Sequence, residues 1–181
     1  FDIGTEESPL HQENKANLAL DKTAAFKALL KINGQHLSQK DTADFVEDWA
    51  DNIEVYSKSE TLMTIKQASK QLREITIEQI SKIDSKVDDF GESMSAMEKV
   101  EAQNQELIPS RIEFTCDPYH GLDKRVFVVR VAILTGGQKP ELSLRIVRLE
   151  AQEEDIAEEF KEILVKNFIS CSLKTFIGQC Q

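Results

Sequence analysis

Residues 125–149 constrain the fold of this chain more than any other stretch. Residues 125–134 and 142–149 are rich in valine, isoleucine and leucine, a composition that favours β-strands. The segment between them contains Gly136-Gly137, and paired glycines readily adopt the positive φ angles that a tight reversal requires. The sequence therefore predicts a long antiparallel hairpin, and a further strand is predicted over residues 111–116.

The first arm of this hairpin is apolar on both sides. Alternation along the arm places one set of side chains on one face and a second set on the other, namely Phe127, Val129, Val131 and Ile133 against Val126, Val128 and Leu134. Strands that are buried on both faces have this pattern. We therefore expect a central strand that is covered on both faces.

Four segments have the three- and four-residue apolar spacing of amphipathic helices, at residues 22–32, 39–52, 60–73 and 152–168. Asp21 and Ser38 are suitable N-caps for the first two, and Gly34 is suited to end the first. Short alternating stretches predict additional strands at 16–20, 75–83 and 169–177. Residues 88–105 have no clean period, and helix, irregular strand and loop all stay open there.

These elements together predict a single α+β domain over residues 15–181, because the length of 181 residues fits one domain. Its architecture is an antiparallel sheet built around the long hairpin and covered by amphipathic helices. Residues 1–14 are expected to be an irregular lead-in. The chain begins with Phe1 instead of Met, and we interpret the lead-in as the end of a missing N-terminal region.

Charge and cysteine content exclude several classes of protein. The 32 acidic and 22 basic side chains give a net charge of −10, which disfavours diffuse attraction to phosphate or anionic lipid. No apolar run approaches the roughly 20 residues of a membrane span. The three cysteines are an odd number and leave at least one thiol free, which is typical of a protein in a reducing cytoplasm.

The residues suited to catalysis or metal binding do not converge in the sequence. The histidines are far apart, and only Cys116 and His120 form a local pair, so we expect no metal and no other cofactor. No nucleophile motif is present, and we expect no catalytic residues and no enzymatic activity. A run of acids at Asp41, Asp44, Glu47, Asp48 and Asp51 favours a solvated helix face over a magnesium site.

Basic residues concentrate in the hairpin region. Residues 111–148 contain seven bases and four acids. The alternation of the strands predicts that Arg130, Arg145 and Arg148 share one sheet face, with Tyr119 and His120 close by as stacking groups for a single nucleic-acid strand. Arg125 belongs to the same candidate nucleic-acid-binding set. The simpler interpretation, which we favour, is that these arginines pair with the acidic last helix.

A string of short motifs resembles the YfdQ-like family of phage and prophage proteins. The motifs include Phe114-Thr115-Cys116-x-Pro118-Tyr119, Leu134-Thr135-Gly136, Leu144-Arg145-Ile146-Val147 and Ile156-Ala157-x-Glu159-Phe160. The resemblance implies a phage or prophage origin and a cytoplasmic location in a bacterial host. The family has no assigned function, so the resemblance implies no catalytic residues.

Three functional hypotheses follow. The first is a non-enzymatic phage or prophage accessory protein that binds a protein partner, such as a component of host defence or of the recombination machinery. The second is a nucleic-acid-associated recombination or replication accessory protein that uses the basic hairpin, and the weakest is a metal-dependent nuclease built on the acidic helix. An exposed edge strand would also favour a homo-oligomer.

Overall fold

The computed structural model describes residues 5, 7, 18–76, 108–134 and 140–169. Within these ranges the helices are α1 (Ala24–Ile32), α2 (Gln39–Asp48), α3 (Ile65–Glu74) and α4 (Leu149–Asn167), with one 3-10 turn at Ala50–Asn52. The strands there are β1 (His36–Ser38), β2 (Ile53–Ser57), β3 (Leu62–Met63), β4 (Pro109–Cys116), β5 (Arg125–Leu134) and β6 (Glu141–Ile146).

The described strands form one six-stranded sheet in the order β1-β6-β5-β4-β2-β3. Each neighbouring pair is antiparallel, which together with the helices confirms the predicted α+β class. β5 and β6 pair from Val129 opposite Ile146 to Leu134 opposite Glu141, so the two arms of the predicted hairpin do pair. The reversal that joins them, at residues 135–139, lies outside the described residues.

One face of this sheet carries the core. Phe127 and Val129 of β5 are buried together with Phe26 of α1, Val46 of α2 and Leu72 of α3. The rings of Phe26 and Phe127 are stacked with their centroids 5.2 Å apart. Burial of such side chains is the main source of stability of a fold like this one. We call this side of the sheet the covered face.

We call the opposite side of the sheet the open face. The described part of the chain does not cover it, and the prediction that β5 is covered on both faces is wrong for these residues. Val126 is 47% exposed, and Arg130 and Ala132 are also exposed. The neighbouring strands explain the difference, because their outward positions are largely polar. The register places the following residues on the open face: His36 and Ser38 of β1, Glu54 and Tyr56 of β2, Leu62 of β3, Arg111, Glu113 and Thr115 of β4, Val126, Val128, Arg130, Ala132 and Leu134 of β5, and Glu141, Ser143 and Arg145 of β6.

The caps of the first two helices show where local sequence determines structure. Ser38 caps α2 as predicted, with its hydroxyl oxygen accepting from the Asp41 N–H at 3.1 Å. α1 begins later than predicted, because Thr23 and not Asp21 is its N-cap. The Thr23 hydroxyl oxygen accepts from the Phe26 N–H and its hydroxyl donates to the Asp117 carbonyl oxygen at 2.6 Å. The Thr23 side chain therefore joins α1 to the end of β4.

Other element boundaries differ from the predictions by a few residues. α2 ends at Asp48, before the predicted end at residue 52, and β2 begins at Ile53. The predicted helix at 60–73 begins only after Thr64, which caps α3. Leu149, predicted to end a strand, is the first residue of α4.

The minor strand predictions have mixed outcomes. Residues 18–20 form no strand, and Ile75 and Thr76 form none either. Ile169 lies in a turn that follows α4. The remainder of the strands predicted at 16–20, 75–83 and 169–177, and the whole of 88–105, lie outside the described residues.

Candidate functional site

Four side chains form a row across the open face. Tyr56 of β2 lies opposite Arg111 of β4, Arg111 lies opposite Arg130 of β5, and Arg130 lies opposite Arg145 of β6. Neighbouring strands of a sheet are about 4.8 Å apart, so three arginines follow one another across adjacent strands. The row places three positive charges side by side in the middle of the sheet.

Arg130 and Arg145 have no compensating acid in the described part of the chain. Both side chains are exposed, and no described carboxylate lies within 4.0 Å of either guanidinium. Like charges directly opposite one another on paired strands destabilise a sheet, on the order of 0.2–1 kcal/mol. An anionic group placed between these two arginines would remove that repulsion.

Arg111, by contrast, has several partners. Its Cζ lies 4.0 Å from the centroid of the Tyr56 ring, a cation–π contact. Its Nη2 and Nε donate to the same oxygen, Oε2 of Glu60, at 2.6 and 3.2 Å, and Nη1 donates to Glu113. Hydrogen bonds to Glu60 and then to Glu113 raise the pKa of the Arg111 guanidinium. The charge of Arg111 is therefore compensated within the protein.

A shallow depression lies beside the arginine row. Glu60, Arg111, Arg130, Val128 and Val147 contribute to its lining. Val147 is held at this place by its N–H, which donates to the Val128 carbonyl oxygen at 2.8 Å. The depression therefore combines an apolar wall with two guanidinium groups and one carboxylate.

The structure brings together only part of the predicted nucleic-acid set. Arg130 and Arg145 are directly opposite one another on the open face. Arg125 contacts α4 instead, with Nη2 donating to Glu159 Oε2 at 2.8 Å and to the Asp155 carbonyl oxygen at 3.3 Å. The favoured interpretation was that these arginines pair with the last helix. It is correct for Arg125 and wrong for Arg130 and Arg145. Arg148 is an exposed residue that precedes α4 with φ of 55°.

Tyr119 lies apart from the arginine row. Its ring is half-buried, 5.8 Å from the ring of Phe26 in the core, and the Lys22 Nζ lies 5.9 Å from its centroid. The neighbouring His120 donates its backbone N–H to the Asp21 carbonyl oxygen. The aromatic ring that does lie in the row is that of Tyr56.

Sequence reasoning missed Tyr56, Glu60 and the place of Arg111. For Arg111 the signal was present, since alternation along residues 111–116 puts Arg111 on the same side as Glu113 and opposite to Ile112. For Tyr56 the signal was short, because Ile53 and Val55 alternate with Glu54 and Tyr56 over a strand of only five residues. For Glu60, which lies in a turn, no local pattern indicated the site.

The acids of α2 have a structural partner. Arg73 of α3 donates to Asp44 Oδ1 at 2.9 Å and to Glu47 Oε2 at 2.8 Å. The hydrogen bond from Arg73 lowers the pKa of Glu47. Among the described residues, no group of three or more His, Cys, Asp and Glu side chains is placed to hold a metal ion.

Cys116 is buried in the core, and burial raises the pKa of its thiol to about 11. A thiol with such a pKa is protonated at neutral pH and is a poor nucleophile. In the described ranges, no helix has the length and apolar character needed to cross a membrane.

The fold and the site together define a class of protein: an α+β protein with one covered sheet face and one open face that carries a row of arginines. The chain belongs to the family described as "Uncharacterized conserved protein (DUF2303)", which it matches over residues 1–180. Searches of curated proteins and of solved structures found no match. The YfdQ-like resemblance and the phage origin stay predictions.

Proposed function

We propose that this protein is a non-enzymatic accessory protein that binds single-stranded nucleic acid on the open face of its sheet. The observation that supports the proposal is the pair Arg130 and Arg145, which lie directly opposite one another without a described acid beside them. In line with the resemblance noted above, the proposed setting is phage or prophage recombination or replication in the cytoplasm of a bacterial host.

A phosphodiester is the anion that suits this pair best. Guanidinium groups present several donors in a planar fork, which matches the oxygens of a phosphate. Because the two arginines lie on adjacent strands about 4.8 Å apart, one phosphate placed between them can accept hydrogen bonds from both. Binding of that phosphate would also relieve the repulsion between the two arginines.

The shape of the open face favours a single strand over a duplex. Reading a duplex requires a helix or a two-stranded ribbon that enters a groove, whereas this face is a broad sheet. Unpaired bases can lie over a sheet surface and stack on aromatic rings or on guanidinium planes. Val128 and the Arg111–Tyr56 pair offer such a surface beside Arg130.

The net charge of −10 makes the expected affinity modest. Many of the acids lie on α2 and α4, where Asp44, Glu47 and Glu159 pair with other arginines of the chain. Binding that depends on a few phosphate contacts weakens steeply with salt. Measurements at low ionic strength are therefore the most sensitive.

The test is fluorescence anisotropy of labelled single- and double-stranded oligonucleotides at two salt concentrations. We expect saturable, salt-weakened binding that prefers the single strand, and a loss of affinity of about tenfold in Arg130→Ala/Arg145→Ala. Lys66→Ala/Lys70→Ala is the matched control, because it removes two exposed positive charges from α3 without touching the sheet. The proposal fails if the protein does not bind at low salt, or if both double variants bind equally well.

A second candidate function, binding of a protein partner, is favoured by the apolar strip on β5. Val126, Val128, Ala132 and Leu134 line the open face, bordered by charged side chains of β4 and β6. An apolar centre with a polar rim is typical of protein interfaces. The partner in this proposal is a component of host defence or of the recombination machinery, and a second copy of this chain would give the homo-oligomer.

The protein-partner candidate is tested by pull-down from nuclease-treated lysates of host cells and of phage-infected cells, with the mass of the purified protein measured in parallel. We expect a captured protein that is lost with Val126→Asp and kept with Leu18→Asp. Leu18 is also exposed, at 63%, but lies outside the sheet. Capture that is unchanged by Val126→Asp would contradict this candidate.

A further inference from the structure

We infer that the carboxylate of Glu60 is a built-in competitor for the nucleic acid, and that a phosphate of the bound strand displaces it from Arg111. The complete phosphate-binding row then consists of Arg111, Arg130 and Arg145, of which only the last two are available in the free protein. This inference rests on the proposed function and names a residue that determines its affinity.

The contact between Glu60 and Arg111 has the geometry of a bound anion. Two donors of the guanidinium, Nε and Nη2, converge on one oxygen of Glu60 at 3.2 and 2.6 Å. This edge of the guanidinium is one that phosphate oxygens also use. The Glu60 carboxylate therefore stands where a phosphate oxygen would bind.

The ion pair between Glu60 and Arg111 separates more easily by movement of the Glu60 side chain than by movement of Arg111. The side chain of Glu60 is 65% exposed and that of Arg111 is 28% exposed. An exposed ion pair contributes little net free energy, since both groups are well solvated when apart. Arg111 additionally has Glu113 and the Tyr56 ring as partners, so its guanidinium stays in place when Glu60 leaves.

The position of Glu60 relative to the other arginines supports the same inference. Glu60 lies in the turn between β2 and β3, and together with Arg111 and Arg130 it lines the depression on the open face. Arg111 and Arg130 are directly opposite one another in the register of β4 and β5. A phosphate that replaces the Glu60 carboxylate at Arg111 would therefore lie beside Arg130.

The experiment compares single-strand affinity and its salt dependence in the full chain for wild type and Glu60→Gln. We expect Glu60→Gln to bind about fivefold more tightly at low salt, with a log–log salt slope steeper by about 0.7 because one more phosphate is contacted. Glu141→Gln is the matched control, since Glu141 is on the same open face but contacts His36 and not Arg111. In Glu60→Gln/Arg111→Ala the gain should disappear.

The outcomes separate this inference from the proposed function. If wild type binds and Glu60→Gln shows no gain, or gains no more than Glu141→Gln, the inference is overturned while the proposed function stands. If neither wild type nor Glu60→Gln binds, both are overturned. Urea unfolding of each variant confirms that the compared proteins are equally folded.

Discussion

Arg125 and Arg130 lie on the same strand, β5, and face opposite sides of the sheet. Arg125 reaches the covered face, where Glu159 Oε2 of α4 accepts a hydrogen bond from its Nη2 at 2.8 Å. The side chains of Arg125 and Glu159 are only 21% and 19% exposed. Arg130 points to the open face and has no described carboxylate beside it. The same strand thus carries one arginine with a structural partner, Arg125, and one for which the described part of the chain supplies no acid, Arg130.

The comparison shows why identical residues need different explanations. A partly buried guanidinium without an acid is costly, so the covered face supplies an acid from the helix above it. On the open face water solvates the charge, and an unpaired arginine is tolerated there. An arginine opposite a second one, with no described acid beside either, is however a feature that a purely structural role does not require.

The largest expected effect contrasts two neighbouring residues on the two faces. Phe127→Ala should lower the free energy of unfolding by about 3–5 kcal/mol, because it leaves a cavity against Phe26. Val126→Ala, on the open face, should lower it by less than about 1 kcal/mol. Urea unfolding at neutral pH measures both. Equal losses would show that the open face is as well packed as the covered one.

A smaller effect is expected from the ion pair that distinguishes Arg125. Glu159→Gln should lower the free energy of unfolding by about 1–2 kcal/mol at pH 7, since Arg125 then loses its charged partner. Burial opposes ionisation of Glu159, but the Asp123 N–H and the Arg125 guanidinium together lower its pKa below the usual 4.5.

The lowered pKa gives this prediction a pH dependence. A carboxyl group whose folded-state pKa lies below its unfolded-state pKa stabilises the fold fully above the unfolded value, and this stabilisation is lost as the pH falls through the folded value. The difference between wild type and Glu159→Gln in urea unfolding should therefore shrink between pH 5 and strongly acidic pH, a window set by the usual pKa of about 4.5. A constant difference over that range would contradict a role for the Glu159 charge.

The smallest effect is expected on the open face and has the opposite sign. Arg130→Gln should raise the free energy of unfolding by about 0.5 kcal/mol, because it removes the repulsion from Arg145. The gain should fade at high salt, which screens exposed charges. Lys66→Gln, a change of the same charge on α3, is the control. A loss of stability in Arg130→Gln would mean that this arginine has a structural partner after all.

The strands with strong local patterns could be predicted from the sequence. β5 begins and ends where the alternation at residues 125–134 predicts, and the Ser38 cap marks the start of α2. β1, β2 and β3 were missed, since strands of three, five and two residues have little pattern of their own and depend on pairing with distant strands.

The candidate site was predictable only in part for a related reason. Alternation puts Arg130 and Arg145 on the same side of their strands, but whether they meet depends on the register of β5 and β6. Which arginine pairs with the last helix depends on which face that helix covers. Glu60 belongs to the site through the β2–β3 turn, a long-range placement that local patterns do not encode.

The strands at the two ends of the described sheet have a consequence for how copies of this chain can associate. β1 and β3 are only three and two residues long, so each offers an incoming strand very few backbone hydrogen bonds. Growth of the sheet from copy to copy, the geometry of fibres, is thereby disfavoured. Contacts between copies would instead use the faces of the sheet or the helices, not its edges.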